Sequence, residues 1–327
     1  MPLPSGAKWA ALVANDAADV SRCRIISGVT HAKNQHYVSR LYLRQFAYQA
    51  GKNPHIYAFD KTARRVIRPS IKNVATELHF YEASDTGVER ALGRLEDMFV
   101  PAYRAVREID DIATLGLEER VAIALFIAVQ QVRTVEFRAT LKSMVSGLDE
   151  WGKHHNHHLD ESYTTITEDQ CRCIQLASLA TTAPAIATGA AEMKWIRLHN
   201  RTDMPFWASD HPVTHYNPKP AGLMGNLGWA CPGIQVFFPL SPTLALCICD
   251  PDEYRAIPSE VSINETQQIT LQNYLQLLYA TRFVFSSSGD FELATKVLDA
   301  NPEMGDPARK RASWRGSPSE RRGARAS

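Results

Sequence analysis

Apolar residues recur along this chain with two different spacings, and the change divides it into a helical first half and a strand-rich second half. Between His31 and Phe46, Tyr37 with Leu41 and Tyr42 with Phe46 stand four apart, which predicts a helix with one buried side. His36, Arg40 and Arg44 share another line at the same spacing. His55–Asp60 and Arg65–Arg68 have strand character around Lys61–Arg64, so they predict a hairpin. Asp60 at its corner reads as a turn residue that accepts backbone bonds, against a catalytic reading. Asp85 to Ile109 predicts an amphipathic helix capped by Asp85 or Thr86, with Val88, Leu92, Leu95 and Phe99 as its buried stripe. Leu117 to Leu141 predicts a second. Every residue from Val121 to Val129 is apolar, so this helix is buried on most sides. Glu168 to Ala190 predicts a third helix, kinked or ended by Pro184.

After Glu192 the period shortens. Glu192–His199 alternates as a strand, and Pro205–Ser209 begins another that Asp210-His211-Pro212 turns. Pro218 to Gly233 is a Gly/Pro-rich loop, read as a lid or an exposed insertion. Ile234–Phe238 and Thr243–Cys249 form a hairpin around Pro239–Pro242. Ser262 or Asn264 starts a helix to Tyr279, and Arg282–Phe285 returns as a strand. The predicted architecture is α+β: a helical N-terminal part with a small β-hairpin, packed on a mainly antiparallel sheet. The predicted division is a poorly ordered extension over residues 1–30, one globular domain over 31–299, and a disordered basic tail over 300–327.

Composition narrows the classes. With 45% apolar and 22% charged residues, the chain has the make-up of a water-soluble globule. Its net charge of +1 hides an asymmetry: from Asn301 onward seven basic residues face three acidic ones, which leaves the tail +4 and the rest −3. Bulk charge therefore gives no nucleic-acid surface on the body, and any basic site there must be local. No stretch approaches the ~18 apolar residues of a membrane helix, and no membrane partner is expected. The cysteines form two C-x-C pairs and no C-x-x-C, and Met1–Ala18 lacks a secretory pattern. Reduced thiols in a cytoplasm are the expectation.

The chemistry must come from scattered polar residues, because no phosphate-cradling loop, H-E-x-x-H or G-x-S-x-G occurs. His154, His155, His157 and His158 lack the spacing of a structural zinc site and read as a solvated loop. Glu89, Gly93 and Glu96 lie on one line of a helix. A glycine there costs about 1 kcal/mol of helix stability and lets a backbone or ligand come close; the alternative is a charged outer face with a chance glycine. Gln130 and Arg133 share a face at the end of the buried helix, where Arg133 needs a carboxylate or phosphate. Its structural reading is an ion pair with Glu89 or Glu96.

Should these residues converge, Glu89, Glu96 and Asp210 would hold a divalent cation such as Mg2+. His36 would activate or orient water, while Arg40, Gln130, Arg133 and Asp210 complete the catalytic set. That outlines a metal-assisted phosphodiesterase or nuclease acting on nucleic acid or a phosphorylated small molecule, with host defence suggested by analogy alone. The alternative is an Arg/Glu/His network that supports an anionic ligand, or a partner, without turnover. Enzyme and binding module both stand at this point.

One resemblance bears on these residues. Asn34-Gln35-His36-Tyr37-Val38, Arg40, Tyr42-Leu43-Arg44 and Phe46 are similar to the opening motif of domain-of-unknown-function family 4238. Ile56–Lys61, Lys72–Ala75 with Phe80-Tyr81, and Glu89 with Glu96 follow in order. So do Gln130 with Arg133, Ser209–Pro212, Phe238–Pro242, and Asn264 ahead of Arg282–Val284. The resemblance spans about residues 33–287. Ser39 stands where the family usually carries proline, which frees the backbone of Val38. It implies a fold extent and a choice of residues, but no chemistry.

Overall fold

The apolar run that begins at Val121 forms the centre of the molecule. In the computed structural model, which describes residues 34–81, 88–220 and 225–309, its residues are buried almost without exception. The chain opens with strand β1 (Asn34–His36), the short helix α1 (Arg40–Leu43) and a 3-10 turn (Arg44–Phe46). The hairpin β2 (Tyr57–Asp60) and β3 (Arg65–Ile67) follows, then β4 (Thr76–Leu78). The long helices are α2 (Val88–Glu108), α3 (Leu117–Val132) and α4 (Val135–His154), followed by α5 (Glu168–Ala180) and α6 (Thr182–Glu192). Strands β5 (Lys194–Asn200), β6 (Ala208–Ser209), β7 (Thr214–Tyr216), β8 (Gln235–Ser241), β9 (Leu244–Cys249) and β10 (Glu260–Ile263) precede α7 (Thr266–Tyr279). Strand β11 (Phe283–Ser286) and α8 (Glu292–Ala300) close the chain.

The fold is α+β, as expected. The larger sheet has the order β10-β5-β9-β8-β7, antiparallel except where β10 runs parallel to β5. The second has the order β3-β2-β11-β6 and is antiparallel throughout, while β1 pairs with β4 alone. Phe126 ties the layers together: its ring meets Phe99 of α2 at 5.3 Å, Tyr103 of α2 at 5.5 Å and Phe238 of β8 at 6.0 Å, all edge-on. That geometry suits the aromatic quadrupole and fills the seam between helices and sheet.

Several boundaries depart from the expected ones, each for a local reason. The opening segment is not one helix. Asn34–His36 is extended because it pairs in register with Thr76–Leu78, and helix begins only at Arg40. The second long helix stops at Val132 rather than Leu141. The Thr134 side chain accepts from Phe137 N as an N-cap, so α4 starts afresh and Arg133 is left at the corner. Thr181 separates α5 from α6 within the segment expected to be a single helix. Strand β10 and helix α8 were not foreseen, and residues 302–305 add a 3-10 turn beyond the expected end of the body. The expected cap residues Asp85 and Thr86, the 1–30 extension and most of the basic tail lie outside the described residues.

Candidate functional site

A cavity of about 400 Å³ opens between α1 and α2. Its walls carry His36, Arg40 and Arg44 on one side and Gly93, Glu96 and Asp97 on the other, with Arg133 at the floor. Leu41, Leu92 and Val100 supply the apolar part. His36 and Arg40 therefore do face one site, although His36 reaches it from a strand and not from a helical turn before Arg40.

Arg133 organises the floor. Its Nη1 meets Glu96 Oε1 at 2.6 Å, its Nη2 donates to the His36 carbonyl at 2.6 Å, and its Nε donates to Tyr81 Oη at 3.2 Å. Tyr81 Oη in turn donates to the same His36 carbonyl at 3.1 Å. A buried guanidinium has five donors in a rigid fork, and this arrangement fixes three directions of it. Burial opposes the Arg133 charge, but Tyr81 and Glu96 outweigh it and hold the pKa above the usual guanidinium value. Gln130 sits one turn earlier, behind the cavity wall. Its Oε1 accepts from the Ser39 backbone N at 3.0 Å, so Gln130 fixes the start of α1 and with it Arg40.

The rim differs from the floor. Arg40 and Arg44 are exposed, one helical turn apart, and neither guanidinium has a hydrogen-bond or ion-pair partner among the described residues. Like charges at this spacing repel by a few tenths of a kcal/mol. His36, deeper in the wall, is held neutral: burial first, then Arg40 and Arg133, lowers its pKa to about 4. Three guanidiniums face two carboxylates, so the cavity carries one net positive charge.

Asp210 is not part of this cavity. Its Oδ1 accepts from Thr281 N and its Oδ2 from the backbone N of Arg282 and Phe283, each at 2.8 Å. The carboxylate thus caps the start of β11, and the strand-end aspartate expected in the catalytic and metal sets has its acceptors occupied by backbone. Asp60 and Lys61 complete that clamp. Asp60 accepts from Thr62 N and Ala63 N, as its turn reading requires, and pairs with Arg282 at 2.7 Å. Lys61 Nζ donates to the carbonyls of Leu277 and Ala280 at the end of α7, at 2.7 and 2.6 Å. Three of the sequence pieces that stood out, around Asp60-Lys61, Ser209-Asp210 and Arg282, therefore meet to hold α7 against β11.

The expected carboxylate trio is not assembled. Asp210 is elsewhere, Glu96 is tied to Arg133, and the Glu89 side chain lies outside the described residues. Among the described residues no group of three or more His, Cys, Asp and Glu side chains is placed to hold a metal ion. The histidines at 154–158 are exposed, with Trp151 stacked on His155 at 4.7 Å and on His157 at 5.7 Å. Sequence reasoning passed over Asp97 and the floor role of Tyr81. Asp97 follows Glu96 directly, and helical spacing alone aims it toward Arg94 and Pro101 as readily as toward the cavity.

A second cavity, of about 540 Å³, carries Arg138, Lys142 and Arg309. Its cations are already used: Arg138 donates to Gln175 and the Phe80 carbonyl, Lys142 pairs with Glu168, and Arg309 donates to the carbonyls of Leu278 and Ala280. Of these two cavities, the first is the one with unassigned charge among the described residues.

Among the described residues no helix is long and apolar enough to cross a membrane. A family model described as Protein of unknown function (DUF4238) matches residues 34–290. No curated protein and no solved structure matches the chain.

Proposed function

We propose that this chain, which belongs to the family described as Protein of unknown function (DUF4238), binds a small phosphate- or carboxylate-bearing ligand in the cavity between α1 and α2. The observation that carries this reading is the pair of unpartnered guanidiniums, Arg40 and Arg44, one turn apart at the mouth of a cavity that is net positive. Two like charges held together without an acid between them are stabilised by an incoming anion, and each fork can take two of its oxygens. His36, neutral at pH 7, adds a ring that can accept or donate a hydrogen bond.

The metal-assisted hydrolase reading draws less support. It needs three carboxylates gathered on one cation, whereas Asp210 is held by three backbone N–H groups away from the cavity and Glu96 gives one of its oxygens to Arg133. The test is a thermal-shift series with phosphate, sulfate, citrate, AMP and Mg2+ on the wild type and on the Arg40→Ala/Arg44→Ala variant. Anions should raise the Tm of the wild type and leave the variant unmoved, because a ligand that binds only the folded state stabilises it by mass action. A response to Mg2+ alone, or an equal anion response in the variant, would remove the reading.

A further inference from the structure

Gly93 sits in the interior of α2 with ordinary helical backbone, and it lines the cavity opposite Arg40. Glycine weakens a helix interior, so such a position normally has a compensating cause. Positive φ is not that cause, and neither is a close neighbour: beyond the adjoining residues and the helix's own backbone, no described atom lies within 4 Å of where a Cβ would stand. What the structure places on that side is the cavity, walled here by the bare backbone at Gly93 between Leu92 and Glu96.

From this we infer that the ligand is a phosphorylated small molecule whose flat body lies against the α2 backbone at Gly93 while its phosphate is gripped by Arg40 and Arg44. The proposal rests on the anion-binding reading and deepens it. Three demands meet in the cavity. The guanidiniums on α1 and the turn after it ask for an anion. The second oxygen of Glu96, which Arg133 leaves open, and the Asp97 carboxylate ask for hydroxyl or amine donors on the same molecule. The strip formed by Gly93 with Leu92 and Val100 asks for a thin, largely apolar surface in van der Waals contact. A nucleoside monophosphate is the simplest class that supplies all three: phosphate, ribose hydroxyls and a planar base. A volume of about 400 Å³ lies in the range of small-molecule sites and leaves room for one such molecule.

The decisive variant is Gly93→Ala, because helix propensity and ligand fit push it in opposite directions. Calorimetric titration of inorganic phosphate and of AMP into wild type and Gly93→Ala, with the ligand-free Tm of each, gives the readout. The expected result is a higher ligand-free Tm in the variant, phosphate affinity within twofold of wild type, and AMP affinity reduced at least tenfold. A lower ligand-free Tm would show that the fold itself needs the glycine and would overturn the inference. Equal AMP affinity in the two proteins, or phosphate and AMP weakened alike, would do the same while leaving the anion site standing. Wild type that binds phosphate but not AMP rejects the planar body. Wild type that binds neither overturns this inference, and the citrate and sulfate arms of the thermal-shift series then decide the anion reading separately.

Discussion

Replacing Glu96 by glutamine separates an anion pocket from a metal site more cleanly than any other single change. Arg133 is 1% exposed and Glu96 21%. Breaking a buried ion pair by removing one partner costs about 3–5 kcal/mol. Two features moderate this: water reaches part of Glu96, and Arg133 keeps its bonds to Tyr81 and to the His36 carbonyl. The expected loss is therefore about 2–3 kcal/mol, read as a lower urea midpoint with an unchanged slope. Ligand affinity should move the other way. Without the Glu96 charge the cavity has two net positive charges instead of one. A unit charge removed about 5 Å from the anion is worth roughly 1–3 kcal/mol at effective dielectrics between 80 and 20. Phosphate should then bind about tenfold tighter to Glu96→Gln, and saturating phosphate should recover part of the lost stability. A glutamate that served as a metal ligand would give the reverse, with stability kept and binding lost. That pattern, or a variant as stable as wild type, would refute the reasoning.

Two further outcomes follow from the same geometry. Asp210→Asn should cost about 1–3 kcal/mol, since the amide oxygen can replace Oδ2 and accept from Arg282 N and Phe283 N but its NH2 then faces Thr281 N, and an orphaned buried donor costs about 1–3 kcal/mol; phosphate affinity of the folded variant should stay within twofold, and a large loss of binding without loss of stability would count against the cap assignment. Burial is the main reason His36 and His215 have pKa values lowered to about 4. The unfolded chain, with histidines near ~6.5, then binds more protons between about pH 4 and 6.5. Stability is full above about 6.5 and falls as the pH drops toward 4, by roughly 3 kcal/mol per histidine at about 1.4 kcal/mol per pH unit. Denaturation at pH 7, 6 and 5 tests this, and a flat profile over that range would show that neither imidazole is held neutral.

Much of the fold was legible because alternation and helical spacing are local signals. The β2–β3 hairpin, β5, the β8–β9 hairpin and α7 all lie close to where the pattern put them. What was missed depends on distant partners. Asn34–His36 is a strand only because Thr76–Leu78 lies beside it, and Glu260–Ile263 only because Lys194–Asn200 does. Neither three- nor four-residue segment carries enough pattern to reveal a partner so far along the chain.

The candidate site shows the same division. A buried arginine at the end of an apolar helix must find a carboxylate, and Arg133 finds Glu96, one of the two partners its burial pointed to. Helical spacing brought His36 together with Arg40 by the wrong route, since the segment bends at Ser39, held by Gln130. Asp210 looked like a ligand because a strand-end carboxylate can serve either chemistry or a local cap. Only the register of β11 beside it shows the backbone N–H groups that claim it.

The most direct measurement is a crystal soaked in parallel with tungstate, as a heavy phosphate analogue, and with Mn2+. The expected result is a tungstate anomalous peak within hydrogen-bond reach of the Arg40 and Arg44 guanidiniums, with no Mn2+ peak at Glu96. A Mn2+ peak at Glu96 with the cavity empty of tungstate, or tungstate bound only elsewhere, would contradict an anion site between α1 and α2.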